Sequence, residues 1–293
     1  MDYCKLPDTG ALAARGPDAV TFLQGQLTQD VRRVADRGAL RAAYNTPQGR
    51  VIALARLHPL DDGVLLQLPR ALVPVVAARL QRFVLRSKVK LLDVSDEWGY
   101  AGLVAPTSAD LESLGIDAAE PGAPRALGDG VTAVRLDERW LLQGPAPALA
   151  HRLAGARARG PDDWHRAAIL AGDPTVEPSA SEAWIAQMLN LDLLDGISFT
   201  KGCYTGQEIV ARTQHLGRIK RRTFRYRIET ERPLAPLDAL LLDETKVGEV
   251  VVAHAAGGTT ELLAVVALEA RDRALRTAGG DECVPQALPY AVE

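Results

Sequence analysis

The sequence predicts an α+β protein of two or three domains that closes with a small β-barrel. Three observations carry this reading. At 293 residues the chain exceeds the usual size of one hydrophobic core. Its first half alternates segments of helical and strand periodicity. From residue 216 onward it breaks into short, evenly spaced apolar runs separated by turns. An apolar fraction of 47% with 24% charged residues belongs to a folded chain, not to a disordered one.

Taken in order, "PDAVTFLQGQL" opens with Pro17, a first-turn residue, and sets Val20, Phe22, Leu23 and Leu27 at spacings compatible with one helical face. "RVIALARLHPL" and "GVLLQLPR" read as strands, "ALVPVVAARLQRFVL" as a helix, and "KVKLLDVS" and "GYAGLVA" as strands again. Residues 115–130, rich in Gly, Ala and Pro, read as a loop. "VTAVRL" and "RWLLQGP" are two further strands, and "APALAHRLAGARA" is helical. Gly160-Pro161 marks a boundary. "PDDWHRAAILAG" then has Pro at its start, two acids in its first turn and Gly172 past its end, the signals of a short helix. The barrel runs are "RTFRYRIE", "ALLLD", "KVGEVVVAH", "ELLAVVALEA" and "CVPQAL".

Charge and cysteine usage narrow the function. The N-terminus has no apolar core of signal-peptide length and later apolar runs are broken by Arg, Asp or Pro, so a cytoplasmic protein with no membrane partner is expected. Cys4, Cys203 and Cys283 are far apart with no Cys-x-x-Cys, which fits a reducing compartment and argues against a structural zinc. Three thiols cannot supply the four ligands of an ordinary iron-sulfur cluster, so no metal site is assigned. Net charge is −3, yet residues 200–227 hold eight cations against one acid, +7, leaving −10 elsewhere. That asymmetry suits an anionic ligand or partner, or a solvated strand edge.

Within the basic region lies "GISFTKGCYTGQEIVART", residues 196–213. Thr205-Gly206-Gln207-Glu208 has the form of a capping box that would start a helix at Gly206 and carry it to Gly217. Cys203 would then sit two positions before the N-cap, where the helix dipole and an exposed Lys201 favour an anion. Those effects amount to about 1 kcal/mol, so the thiol is expected to be modestly activated rather than a strong standing nucleophile. Gly202 and Gly206 would let the backbone approach a ligand closely. The competing reading is a buried cysteine in a tight turn.

"NLDLLDGISFTKGCYTGQEIVAR" resembles the signature of the YgfZ family of folate-binding proteins, relatives of the T-protein of the glycine cleavage system. "GPDAVTFLQGQLTQDV" near the N-terminus is a weaker echo of the same family. The resemblance implies a three-domain ring around a central hole. Residues 1–50 with 161–215 would form a discontinuous α/β domain carrying the motif, 51–160 a second α/β domain, and 216–293 the barrel. It further implies tetrahydrofolate as cofactor and a role in the maturation or repair of iron-sulfur enzymes, including those that modify tRNA. The partners would be folate and the iron-sulfur client enzymes or assembly proteins.

Carried over residue by residue, the resemblance makes Cys203 the catalytic candidate. The folate candidates are Trp164, Gln187, Asn190, Lys201, Tyr204, Gln207, Glu208 and Arg212. Trp164 also reads as core, since Trp164, Ala168 and Ala171 share one helical face. Gln187 and Asn190 carry amides that could face a pterin edge or cap a turn. Ser179-x-x-Glu182 forms a second expected capping box. Two departures bear on activity. Glycine cleavage T-proteins carry an acidic pair where "TPQGRVIALARL" offers Ala53 and Leu54, which cannot handle a proton, so aminomethyl transfer is disfavoured. The tryptophan sometimes found near the family's N-terminus is Thr9 here. In "RIKRRTFRYRI", Phe224, Tyr226 and Ile228 alternate with Arg225 and Arg227, so the apolar face should enter the barrel. The arginine face could hold a folate glutamate tail or an acidic partner; tRNA bound through residues 218–227 is the alternative of a different class.

Overall fold

Two open sheets and a closed barrel make up the computed structural model, which describes residues 1–116, 123–230 and 232–292. The chain opens with β1 (Asp2–Lys5) and β2 (Thr9–Arg15), then α1 (Ala19–Gln24) and α2 (Val34–Arg37). The strands β3 (Leu40–Asn45), β4 (Val51–Leu60) and β5 (Gly63–Pro69) lead to α3 (Val73–Gln81) and β6 (Lys90–Asp93). Next come β7 (Trp98–Val104), α4 (Ser108–Ser113), β8 (Pro124–Gly128), β9 (Val131–Arg135) and β10 (Arg139–Pro145). These are followed by α5 (Ala146–Arg152), β11 (Arg157–Arg159), α6 (Asp162–Leu170) and α7 (Gln207–His215). Between α6 and α7 lie two 3-10 turns, Pro178–Ala180 and Ala186–Leu189. The barrel strands are β12 (Arg221–Ile228), β13 (Ala239–Leu242), β14 (Thr245–Ala256), β15 (Thr259–Ala267), β16 (Leu275–Thr277) and β17 (Glu282–Gln286).

The strand order is β11-β1-β7-β10-β9-β8 in one sheet and β3-β4-β5-β2-β6 in the other. The two sheets face each other across β2. Its Leu12 and Ala14 turn toward α1 and α3, while Ala11 and Ala13 pack with Leu65 against Tyr100, Leu141 and Trp164 of the opposite layer. Alternate residues of a strand point to opposite faces, so a strand covered on both sides is buried throughout. Sequence reading leaves β2 and β3 unassigned because "TGALAAR" and "LRAAYN" are rich in alanine, a helix former. Small side chains let the layers approach, and that packing overrides propensity.

The barrel closes in the order β12-β15-β14-β13-β16-β17. Tyr226 and Ile228 are buried inside it, and the Tyr226 hydroxyl donates to the Arg271 carbonyl at 2.9 Å. The alternation expected for this strand is present. Two expectations change. No sheet ends at residue 50, because β3 and β4 pair across that point with Tyr44 opposite Ala53. The expected 115–130 loop contains β8, paired with β9, while residues 117–122 lie outside the described residues.

Candidate functional site

A cavity of about 630 Å³ opens where the three parts of the molecule meet. The second sheet contributes Leu54 and Gln67, α6 contributes Trp164 and His165, and barrel strand β14 contributes Val252 and His254. Gly172, at φ +64°, ends α6 in a left-handed conformation and turns the chain so that Asp173 points back toward the sheets. Its carboxylate accepts from Arg41 Nε at 3.1 Å, from Arg139 Nη2 at 2.9 Å, and from Arg56. Arg139, itself only 2% exposed, forms a second, bidentate contact with Asp137. Burial alone would raise the Asp173 carboxyl, but Arg56, Arg41 and Arg139 together hold it far below the ordinary carboxylate range. Burial lowers Arg56 to about 10.

Trp164 is walled in by the same network. Its ring lies against the backbone of Gly102, where any Cβ would collide with it, and the Arg139 guanidinium stands 5.0 Å from the ring centroid. Across the cavity mouth, His165 meets Asp8 at 2.9 Å, and that hydrogen bond raises its pKa. The His254 ring stands edge-on to His165 at 6.0 Å; burial lowers its pKa, and its Nε2 has no hydrogen-bond partner.

The motif loop follows a different plan. It interlocks with the N-terminal stretch that sequence reading singled out 170 positions earlier. Thr205 N donates to the Gly25 carbonyl, Ser198 N to the Thr28 carbonyl, and Thr28 Oγ1 to the Gly196 carbonyl at 2.7 Å. Lys201, expected to be an exposed cation, is buried: its Nζ donates to the carbonyls of Leu27 at 2.7 Å and Gln29 at 2.8 Å, and lies 5.0 Å from the Tyr204 ring centroid. Burial lowers its pKa to about 8. The expected Thr205 capping box is not formed. Gly206 is the N-cap at φ +80°, Thr205 Oγ1 faces Gln26 Oε1, and Gln207 instead accepts from the Tyr204 amide. A Cβ at Gly206 would strike the Thr46 carbonyl, so glycine serves close packing there.

The second expected capping box is also absent. Glu182 sits at φ +69° beyond the Pro178–Ala180 turn and pairs with Arg79 at 2.5 Å, so no helix starts there. Gln187 and Asn190 are buried: Asn190 spends both ends of its amide on protein, while Gln187 engages only its nitrogen and leaves its Oε1 without a partner. Gln187 Nε2 donates to the Val210 carbonyl at 2.7 Å, and Asn190 Nδ2 to the Thr223 carbonyl at 2.8 Å. Asn190 ends its 3-10 turn at φ +57°, the turn-capping alternative. Cys203 and Glu208 are exposed, as is Arg212 on the next turn of α7. Of the nine residues selected from sequence, Trp164 alone lines the cavity. The basic run is divided as well: Arg222 is buried against Asp192 at 2.8 Å, and Arg227 pairs with Glu229 at 3.0 Å.

No protein-family model matches the chain. The tRNA-modifying protein YgfZ of Colwellia psychrerythraea is 28% identical over 98% of this chain and 93% of its own length. That of Enterobacter sp. is 33% identical over 75% of this chain and 70% of the relative. The corresponding protein of Vibrio atlanticus is 30% identical over 83% of this chain and 74% of the relative. The chain belongs to the YgfZ family. Its fold is that of the glycine cleavage system aminomethyltransferase T from Bartonella henselae, with a TM-score of 0.71 at 14% identity over 99% of this chain and 86% of that one.

Within this family member, sequence reasoning missed the Arg41, Arg56, Arg139 and Asp173 network and the two cavity histidines. These residues are scattered from position 41 to position 254 with no shared spacing, so only the tertiary fold brings them together. No helix among the described residues is long and apolar enough to cross a membrane.

Proposed function

We propose that this protein binds tetrahydrofolate in the central cavity and acts as an accessory factor supporting the assembly or repair of iron-sulfur enzymes, tRNA-modifying ones among them. The cavity carries the reading. Its volume of about 630 Å³ matches sites for drug-sized ligands, which run roughly 300–1,000 Å³. Leu54, Leu68 and Val252 supply apolar wall for a ring system, and Gln67, whose Oε1 meets His58 Nε2 at 3.0 Å, keeps its amide N–H groups as donors. Four arginines, at 41, 56, 70 and 139, line it against three acids, Asp8, Asp173 and Glu177. Arg70 is paired with Asp96, whereas Arg41, Arg56 and Arg139 share only Asp173 and Asp137, and that local excess of one cation suits a ligand bearing a carboxylate. When bound, the folate would supply one-carbon chemistry; the residues described here bind it, orient it and exclude water. Family membership supports the tRNA connection, since the relatives are named tRNA-modifying proteins.

Leu54 stands in the cavity wall where the T-protein comparison calls for a carboxylate, and a leucine cannot accept a proton. Aminomethyl transfer therefore gives way to the accessory role. Calorimetry with tetrahydrofolate tests the proposal. Wild type should bind one equivalent, Leu54→Trp should abolish binding by filling the cavity, and Trp164→Ala should weaken it. Absence of heat from correctly folded wild type at millimolar tetrahydrofolate overturns the reading.

A further inference from the structure

Away from both the cavity and the motif loop, the end of α3 and the segment leading into β6 form an exposed surface that is cationic and apolar together. Residues 79–90 carry Arg79, Arg82, Arg86, Lys88 and Lys90 with no acid, +5 in a chain of net −3. Arg79 is engaged by Glu182. Arg82, Arg86, Lys88 and Lys90 are exposed and form no ion pair among the described residues. Between them Phe83 is 47% and Leu85 86% exposed, the latter the most exposed large apolar side chain among the described residues together with Leu216 at 85%. Lysines on an edge strand such as β6 do guard against sheet-to-sheet pairing. That role explains Lys90 alone: Arg82 and Arg86 precede the strand, and a solubilising function gives no reason to expose Phe83 beside them.

We propose that this surface binds RNA. A row of unpaired guanidinium and ammonium groups matches a phosphate backbone, and binding gains from the counterions that it releases. An exposed aromatic ring among those cations is the platform on which an unpaired base stacks, and base stacking is sequence-tolerant. A protein partner would need a compensating acidic face with pockets for Phe83 and Leu85. A nucleic acid supplies negative charge at regular spacing and flat apolar faces in the same polymer. The site is separate from the basic run at 218–227, where Arg222 and Arg227 are paired with Asp192 and Glu229 and the exposed Arg218, Lys220 and Arg221 have no exposed aromatic ring among them.

Fluorescence anisotropy with a labelled single-stranded RNA oligonucleotide and with an unmodified tRNA transcript, over a salt series, decides the matter. Wild type should bind, with affinity falling steeply as salt rises. Arg82→Glu combined with Arg86→Glu should lower affinity at physiological salt at least tenfold and flatten the salt slope. Phe83→Ser should weaken binding severalfold with the slope unchanged. Arg218→Glu with Lys220→Glu should leave binding near wild type. Unchanged circular dichroism and an unchanged urea midpoint in the 82/86 variant would show that the fold is intact, which keeps this test independent of the folate reading. The proposal fails if wild type binds neither RNA at low salt, if the 82/86 variant binds as well as wild type, or if the 218/220 variant is the one that loses binding. It fails equally if the surface binds phosphatidylserine vesicles and not RNA.

Discussion

The cavity wall and the motif loop each bury positive charge, and they do so in opposite ways. Around Asp173 the guanidinium groups of Arg41, Arg56 and Arg139 converge on one carboxylate, with Asp137 as a second partner for Arg139. In the loop, Lys201 is buried with no carboxylate in contact and is held by two backbone carbonyls. The first arrangement ties distant segments together through ion pairs that share one central carboxylate. The second places one titratable cation where losing its proton relieves a cost. The difference separates a cavity braced by ion pairs from a clipped loop that carries an exposed thiol.

The largest effect is expected at the carboxylate. Asp173→Asn leaves three guanidinium groups in a region where Arg56 and Arg139 have little access to water. Removing one member of a buried ion pair typically costs about 3–5 kcal/mol, so the urea midpoint should fall sharply with the m-value preserved. Arg41→Met removes the most hydrated of the three cations, at 25% side-chain exposure, and should cost clearly less. Equal losses from the two variants would mean that the network acts as a single packed unit and not through its central charge.

Next in size is the pH response of Lys201. An unfolded lysine keeps its proton to about pH 10.4, whereas burial lowers Lys201 in the folded protein to about 8. Between those values the unfolded chain binds more protons, so the contribution of this group to stability rises with pH, by about 3 kcal/mol across the window. A neutral amine retains two N–H groups, enough for the carbonyls of Leu27 and Gln29. Other groups titrate in the same range, so the readout is a difference. The stability of wild type minus that of Lys201→Met, followed by denaturant melts from pH 7 to 10.5, should climb. A flat difference would show that the ammonium is better solvated than its burial implies.

These two regions were unequally legible in the sequence. The barrel strand was readable because Phe224, Tyr226 and Ile228 alternate with arginines, and a period of two is a local property. The motif loop is located by its residues, yet the sequence leaves Lys201 looking like an exposed cation. Its partners are carbonyls of residues 27 and 29, and no side-chain pattern marks a carbonyl that lacks a donor. The capping box at Thr205 failed for a related reason. The pattern has the right letters, but Gly206 takes a left-handed conformation because Thr46 and Gly49 pack against it. The cavity network was not legible at all: Arg41, Arg56, Arg139 and Asp173 each look like ordinary surface charges until β3, β4, β10 and the turn after α6 are assembled.

The smallest effect on stability is the most informative about function. Cys203 is exposed, and a side chain added at its neighbour Gly202 would meet nothing within 4 Å. Cys203→Ala should therefore change stability by less than about 0.5 kcal/mol, as expected for an open surface position. Since Cys203 is not among the residues that line the cavity, the tetrahydrofolate isotherm should also be unchanged. If the thiol serves the iron-sulfur clients, the same variant should still lower the activity of cluster-containing enzymes in cells. Stability and folate affinity both intact, with client activity lost, would place the thiol's work on a partner outside the cavity. A weakened folate isotherm would instead mean that the loop reaches the cavity in the bound state, and the division between the two regions drawn here would collapse.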